Sequence, residues 1–437
     1  MEDMVSLLSD RDAYIDRFAE FIAGAPTSYH AVDASARALE AAGFVERSET
    51  EAWPGIDPAA SVFVRRDGAI IAWRAGAEVT ATSPVRVLGC HTDSPGLMLK
   101  PRADFTSHEW AQVGVEVYGG PLLTTWFDRD LALAGRIVSR SGKEHLLCTE
   151  ALARVPMLAI HLDREVGSNL QVDRQRHTQP VVGMAATREP IFDTLAKAIS
   201  VEVGGAFSSD EIAGADVRLV DTQPPARLGE DRELFAAPRL DNLSSVFAGL
   251  VALIESEVAP GEIAMLAAFD HEELGSSTRS GAAGPFLEDV LRRLREGLGA
   301  TAEESARAMS ASWCLSADAG HSVHPNYPEK HDPNVQPLAG QGPMLKVNAN
   351  QRYASDAHGE ALWSRCCDKA GVRSQVFVSN NGVPCGSTIG PLTATRLGMR
   401  TVDAGVPLLS MHSVRELAHV DDLHGLTRVV GAFFSGA

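Results

Sequence analysis

His91 and Asp93 are the residues whose types and spacing most directly suggest chemistry, because they follow an apolar run at 85–89. A histidine binds zinc through one neutral ring nitrogen and needs its other nitrogen held by a partner, and a carboxylate two residues further on can be that partner. The alternative is that His91 is an ordinary, satisfied histidine at the end of a strand. The pair indicates a metal site only if other segments supply more ligands.

Further acidic and histidine side chains follow other apolar runs of the chain or begin a helix. In an open α/β sheet, sites form beyond the carboxyl ends of the strands, so residues placed there can converge. Carboxylates and imidazoles together suit Zn²⁺, with Co²⁺ or Mn²⁺ as alternatives, and a carboxylate shared by two ions gives the two-metal arrangement that aminopeptidases use. The candidate residues are Asp241, Glu272, Glu273, Asp318 and His412.

Glu272 and Glu273 are adjacent in the sequence. Neighbouring side chains point in different directions, so one can bind a metal while the other stays free to accept a proton from an activated water. The alternative is that both are solvated charges of a loop, as isolated glutamates usually are. The pair therefore adds a candidate general base to the candidate ligands.

Length and periodicity predict an α/β protein with an insertion. A single core stops growing at roughly 250–300 residues, and this chain has 437. Helical and strand patterns alternate in 1–94 and 237–437, whereas 95–236 contains short alternating segments separated by Gly, Pro, Ser and Asp. We expect a mostly parallel sheet with helices on both faces, forming a catalytic domain in two parts, and a β-rich insertion domain at 95–236.

Hydrophobic periodicity and cap residues place the individual elements. The predicted helices cover 9–22, 28–43, 241–256, 286–297, 301–309 and 421–434. The predicted strands cover 62–64 and 70–73, joined by a turn at Asp67 and Gly68, and then 85–91, 113–118, 135–139, 158–161, 263–269, 312–316, 375–378 and 400–402. Thr301 and Glu304 predict a capping box at the start of one helix.

Charge and cysteine content exclude several classes of function. The formal net charge is −18, which argues against nucleic acid or anionic membranes as partners. The chain has no run of about 18 uncharged apolar residues and no segment typical of a secretory signal, so we expect a cytoplasmic protein that does not bind membranes. The six cysteines lack a Cys-x-x-Cys spacing, which argues against disulfides and against a thiolate zinc site.

Seven motifs in order resemble the aspartyl aminopeptidase family of co-catalytic zinc metallopeptidases, and the similarity covers nearly the whole chain. They are Cys-His-Thr-Asp-Ser-Pro at 90–95, Pro-Arg-Leu-Asp-Asn at 238–242, Asp-His-Glu-Glu-Leu-Gly-Ser at 270–276, Ser-Ala-Asp at 316–318, His-Pro-Asn-Tyr at 324–327, Pro-Cys-Gly-Ser-Thr-Ile-Gly-Pro at 384–391 and Met-His-Ser at 411–413.

The resemblance implies a role for each candidate residue. One zinc would be held by His91, Asp241 and Asp318, and a second by Asp241, Glu273 and His412. Glu272 would be the general base, and Asp93 would orient His91.

The resemblance also implies an assembly and a substrate pocket. Family members form tetrahedral dodecamers in which the insertion domain takes part in assembly and closes over the active site, and a histidine matching His161 reaches a neighbouring subunit's active site. The alternative for His161 is an imidazole that only packs at an interface. His321, Lys346 and Tyr353 match positions that bind acidic side chains, with a solvated lysine as the alternative for Lys346.

The sequence at 380–383 departs from the family pattern. The family often has Arg-Asn-Asp before Pro-Cys-Gly, whereas this chain has Asn-Asn-Gly-Val there.

We expect a two-metal exo-aminopeptidase that removes N-terminal Asp or Glu from peptides, with a broad-specificity aminopeptidase as an alternative. A carboxypeptidase or deacylase on a similar core would also fit these residues, as would a non-catalytic peptide-binding assembly.

Overall fold

The computed structural model describes residues 6–53 and 60–437 of the chain. Two helices and a β-hairpin precede the first central strand, as predicted. The first helix begins after Asp10, whose side chain accepts a hydrogen bond from the N–H of Ala13 and so satisfies a free donor of the first turn. In chain order the elements are α1 (Arg11–Gly24), α2 (Ser28–Ala41), β1 (Val45–Glu46), β2 (Val62–Arg66), β3 (Ala69–Ala75) and β4 (Val85–His91).

The chain then leaves the first sheet and builds a second one. The elements of this part of the chain are β5 (Gly96–Ser107), β6 (Trp110–Tyr118), β7 (Leu131–Ser139), β8 (Glu144–Cys148), β9 (Val181–Met184), α3 (Ile191–Val203), β10 (Ile212–Asp221), β11 (Ala226–Leu228) and β12 (Leu234–Ala237). The last two strands, β11 and β12, belong to a separate, smaller sheet. Strands β5 to β10 form a six-stranded antiparallel sheet in the order β8-β7-β10-β5-β6-β9. Helix α3, which the sequence pattern does not predict, packs against it.

The predicted strand at 158–161 is wrong. These residues belong to a turn in which the N–H of Leu162 donates to the carbonyl of Ala159. Leu158 and Ile160 are half exposed. The alternation of apolar residues at this point therefore reflects an exposed apolar loop and not a strand of the sheet.

The last part of the chain returns to the first sheet. Its elements are α4 (Leu240–Glu255), β13 (Ile263–Phe269), α5 (Phe286–Gly297), α6 (Ala302–Ala311), β14 (Trp313–Ala317), β15 (Gly320–His321), β16 (Met344–Lys346), α7 (Ala357–Ala370), β17 (Gln375–Phe377), α8 (Ile389–Leu397), β18 (Arg400–Gly405), β19 (Pro407–Leu408), β20 (Glu416–His419) and α9 (Val420–Phe434). The capping box of Thr301 and Glu304 is confirmed. Helices α7 and α8 are absent from the predicted elements.

The first sheet is the layer on which the site is built. In the described residues it has nine strands in the order β1-β2-β3-β13-β4-β14-β18-β16-β17, and its centre, β13-β4-β14-β18, is parallel. Helices cover both faces, as predicted. In β4, Leu88 and Cys90 point into the core that includes α1, α4, α7 and α9, while Val85 and Val87 point into the core that includes α5. In the part of the chain that the structure describes, no helix has the length and apolar character needed to cross a membrane.

Candidate active site

Parallel pairing brings the ends of three neighbouring strands together. Strand β4 lies between β13 and β14, and its last residue is His91. Glu272 and Glu273 follow β13, and Asp318 follows β14 directly. Since parallel strands point in the same direction, the residues that follow them meet at one edge of the sheet, where sites of α/β proteins form.

Asp241 lies between two histidines. Its Oδ1 is 3.3 Å from His91 Nε2, and its Oδ2 is 3.5 Å from His412 Nε2. Asp318 Oδ1 lies 3.5 Å from His91 Nε2 on one side, and Glu273 Oε2 lies 3.3 Å from His412 Nε2 on the other. These residues form two adjacent groups of three candidate ligands that share the Asp241 carboxylate, and a third group consists of His91, Glu272 and Glu273.

The rings of both histidines are held with Nε2 toward Asp241. His91 Nδ1 donates to the backbone carbonyl of Asp93 at 3.0 Å, and His412 Nδ1 donates to the carbonyl of Gly120 at 3.0 Å. A carbonyl accepts only, so each Nδ1 carries the hydrogen and each Nε2 can offer its lone pair to a cation.

The donor set fits zinc. Two imidazoles and several carboxylates are the ligands that zinc prefers in catalytic sites. Asp241 Oδ1 and Glu273 Oε1 are buried and accept no hydrogen bond from the described residues. Buried polar atoms are normally satisfied, and a cation would satisfy these two.

The electrostatics of the site follow from crowded, buried carboxylates. Burial raises the pKa of Glu272 to about 8, and the neighbouring charges of Asp318 and Glu273 add to this rise against the opposing effect of His91. Burial likewise raises the pKa of Glu273 to about 7 against the hydrogen bond from His412. Burial lowers the pKa of His412, but Asp241 and Glu273 raise it to about 11. Positive charge is therefore strongly favoured in this space.

Asp93 contacts both His91 and the loop that follows β13. Its carboxylate accepts the N–H of Glu272 at 3.0 Å, the N–H of Glu273 at 3.2 Å and the hydroxyl of Tyr118 at 2.8 Å. The Asp93 carboxylate is 3.4 Å from His91 Nδ1, farther than its own backbone carbonyl. The carboxylate thus fixes the backbone of the two glutamates.

A cavity of about 610 Å³ opens from these residues. His321, Lys346 and Tyr353, the predicted substrate-binding residues, are among those that line it. Lys346 is only 2% exposed, so the solvated alternative is wrong. Its Nζ donates to the carbonyl of Ala319 at 2.7 Å, lies 3.5 Å from Asp318 Oδ2 and lies 5.3 Å from the centre of the Tyr353 ring.

The sequence profile of a family described as Aminopeptidase I zinc metalloprotease (M18) matches residues 21–434. The chain belongs to this family. It is 47% identical over 425 residues to a probable M18 family aminopeptidase 2 of Streptomyces coelicolor, a match that covers 96% of this chain and 97% of that protein. It is therefore a zinc metallo-aminopeptidase, as predicted.

Two solved structures have the same fold. The structure of the Ape4 and Nbr1 complex matches with a TM-score of 0.94 and 34% identity, over 100% of this chain and 87% of that one. The structure of the S. cerevisiae mApe1 dodecamer matches with a TM-score of 0.82 and 27% identity, over 97% of this chain and 96% of that one. Both matches extend over the insertion as well as the catalytic sheet.

Sequence reasoning misses several residues that line the cavity of this M18 enzyme. His324, Lys330 and His331 belong to the loop after β15 and face the same space. The motif at 324–327 is the signal that could have pointed to them. The Asn380 side chain, in the segment that departs from the family pattern, donates to the carbonyls of Glu329 and His331. The departure therefore lies at the cavity wall, bound to this loop.

His161 is placed away from both the cavity and the cluster of candidate metal ligands. It lies on an exposed loop of the insertion, and the apolar neighbours Leu158, Ile160 and Leu162 are also exposed, Leu162 by 76%. Within the described subunit, His161 and the candidate metal ligands are not part of one site.

Proposed function

We propose that this M18 aminopeptidase is a two-metal exo-aminopeptidase that removes N-terminal Asp or Glu from peptides. The observation that supports it most strongly is the Asp241 carboxylate between His91 and His412. A carboxylate with one oxygen toward each histidine is suited to bridging two ions, the arrangement of two-metal hydrolases.

The ligands divide into two sets in this proposal. His91, Asp241 and Asp318 hold one Zn²⁺, and Asp241, Glu273 and His412 hold the other. When bound, zinc supplies Lewis acidity that polarises the scissile carbonyl and makes water easier to deprotonate.

Glu272 is the proposed general base. Its side chain lines the cavity, and Asp93 fixes its backbone through the N–H of Glu272. Glu272 accepts the proton of the attacking water and then donates it to the leaving amine. A carboxylate whose pKa is raised toward neutrality, as burial does here, suits both steps of such a transfer.

Acidic specificity is proposed from the cations of the cavity. Lys346 and Lys330 line it together with His321 and His331, and a substrate carboxylate would pair with them in a chain of net charge −18. Lys346 lies at the buried end, between Asp318 and the ring of Tyr353. The described residues that line the cavity include no arginine to clamp a terminal carboxylate, which argues against a carboxypeptidase.

The substrate class is tested by profiling the purified enzyme against aminoacyl anilides and N-acyl amino acids, with and without chelator. The proposal expects chelator-sensitive release from Asp and Glu anilides above all others. A preference for Leu or Ala anilides would be consistent with an aminopeptidase but would contradict acidic specificity. Hydrolysis of N-acyl amino acids alone would contradict the aminopeptidase reaction.

We propose that the chain forms a tetrahedral homododecamer in which His161 contacts substrate in a neighbouring subunit. The exposed apolar loop around His161 supports this, as does the dodecameric relative. Co-expression of His161→Ala with Glu272→Gln tests it: each variant is inactive alone, and mixed assemblies regain activity because an intact His161 meets an intact Glu272. If mixed assemblies do not regain activity, the proposal is contradicted.

A cytoplasmic location is also proposed, since all six cysteines are free thiols.

A further inference from the structure

Glu416 is a buried carboxylate that contacts the backbone of two residues of the proposed metal centre, His412 nearby in the sequence and Asp241 far from it. It begins β20 and is 2% exposed. Its Oε2 accepts the N–H of Asp241 at 2.9 Å, and its Oε1 accepts the N–H of His412 at 2.7 Å. Each carboxylate oxygen therefore holds one residue of the pair that flanks the second proposed ion.

The position of Glu416 follows from the small sheet formed by β11, β12 and β20. β20 pairs with β12 in antiparallel register, with Glu416 opposite Ala237. The chain runs from β12 straight to Asp241, and β20 follows the loop that carries His412. Glu416 thus stands where these two segments meet.

The loop that Glu416 holds has an uncommon backbone. His412 has φ of 64° and Ser410 has φ of 59°, while Arg239, two residues before Asp241, has φ of 59°. Residues other than glycine rarely adopt this left-handed conformation and keep it only where surrounding contacts impose it. The hydrogen bond from the His412 N–H to Glu416 is one such contact, and the bond from His412 Nδ1 to Gly120 is another.

The same pattern occurs on the other side of the centre. The Asp93 carboxylate accepts the N–H groups of Glu272 and Glu273, just as Glu416 accepts those of Asp241 and His412. Two buried carboxylates therefore position four of the residues that the proposed mechanism uses.

We propose that Glu416 is a positioning residue for the metal site formed by Asp241, Glu273 and His412, an inference that rests on the ligand assignment proposed above. Glu416 acts through two of the three ligands of that site, but through only Asp241 in the site of His91, Asp241 and Asp318. Loss of Glu416 should therefore weaken one ion much more than the other.

Titration of Zn²⁺ into the metal-free full-length protein tests this. Glu416→Gln keeps one acceptor but turns an amide N–H₂ toward the other backbone N–H. We expect one of the two ions to bind about 10- to 100-fold more weakly, the usual range for groups that orient metal ligands, and the other to change by less than about 3-fold. Glu416→Asp, which keeps the charge with a shorter reach, should show a smaller loss and serves if the glutamine variant does not fold.

Asp422→Asn is the matched control. Asp422 is also buried and accepts two backbone N–H groups, those of Gly340 and Gly342, each at 2.7 Å. Its variant should lose stability in thermal unfolding but bind both ions as the wild type does. Wild-type affinities in Glu416→Gln, equal weakening of both ions, or the same weakening in Asp422→Asn would overturn the positioning role.

The ligand assignment itself is checked in parallel with His412→Ala. If this variant binds both ions normally, the assignment in the proposed function fails. If it loses one ion while Glu416→Gln does not, the assignment stands and only the role of Glu416 fails.

Discussion

The hydroxyl of Tyr118 donates a 2.8 Å hydrogen bond to Asp93 Oδ2. Tyr118 ends β6 of the insertion sheet, and Asp93 follows the central strand β4. Through this bond the insertion contacts the carboxylate that fixes the backbone of Glu272 and Glu273. The guanidinium of Arg218, also from the insertion sheet, lies 3.7 Å from the centre of the Tyr118 ring.

Tyr118→Phe should lower kcat by about 10- to 100-fold, because Asp93 loses a donor while the ring that packs against Arg218 remains. Steady-state kinetics with zinc counting measures the effect. The control is Tyr29→Phe, which removes a hydroxyl from another ring that packs against an arginine. Tyr29 lies on α2, and its ring packs against Arg136. Unchanged turnover in Tyr118→Phe, or an equal loss in Tyr29→Phe, would show that the insertion does not support the loop in this way.

Glu272→Gln should keep the zinc of the wild type and lose about 10²- to 10⁴-fold in kcat, the usual contribution of a general base. The adjacent variant Glu273→Gln is the comparison, since it should lose metal as well as activity. Turnover and zinc content are measured on the same preparations. Near-normal turnover of Glu272→Gln with full zinc would remove Glu272 from the mechanism.

The stability of the metal-free and zinc-loaded proteins should respond differently to pH. Burial raises the pKa of Glu272 and Glu416 to about 8 and that of Glu273 to about 7, from an ordinary value of 4.5. The folded chain therefore holds protons that the unfolded chain has released, and its free energy of unfolding falls as pH rises through this range. Zinc binding requires deprotonated carboxylates and so strengthens with pH.

We accordingly expect the difference in Tm between zinc-loaded and metal-free protein to widen from about pH 5 to about pH 8. Thermal unfolding across this range, at constant free zinc, measures it. A difference that stays constant or narrows would contradict the assignment of these buried carboxylates to the metal centre.

Lys346→Met should reduce the preference for acidic substrates. Methionine keeps much of the apolar stem but removes the charge, so the ratio of kcat/KM for Asp over Leu anilides should fall by at least about 10-fold. Lys369→Met is the matched control, because Lys369 is exposed and does not line the cavity, so the ratio should stay at the wild-type value. If Lys346→Met lowers kcat/KM equally for both substrates, then the main role of Lys346 is its contact with Asp318. The residues that determine specificity should then be sought in the segment 380–383.

Sequence patterns predict the parts of this site that depend on strand ends. His91, Glu272, Glu273 and Asp318 follow three central strands, and parallel pairing alone brings such residues together. His412 follows a short strand outside that sheet, and its place depends on tertiary contacts that periodicity does not report.

Glu416 could not be predicted in the same way, because it contacts backbone N–H groups, which no side-chain pattern reports, and one of them belongs to Asp241, far from it in the sequence. Helix α8 carries Gly390 and Pro391 in its first turn, which are poor helix formers, so propensity argues against it. Gly390 is required there for space, since a Cβ atom would lie 2.4 Å from the Asp403 carboxylate. The loop at 158–162 alternates like a strand, but its apolar side chains, Leu158, Ile160 and Leu162, are at least half exposed in the described subunit.

Zinc counting on Asp241→Ala tests the central claim most directly, because the proposed mechanism depends on one carboxylate shared by two ions. We expect the wild type to hold two zinc ions per subunit, Asp241→Ala to lose both, and His412→Ala to lose chiefly one. The protein is measured after dialysis against weak chelator, with unfolding temperature as a check on folding. Two tightly held ions in a folded Asp241→Ala variant would contradict the two-metal assignment.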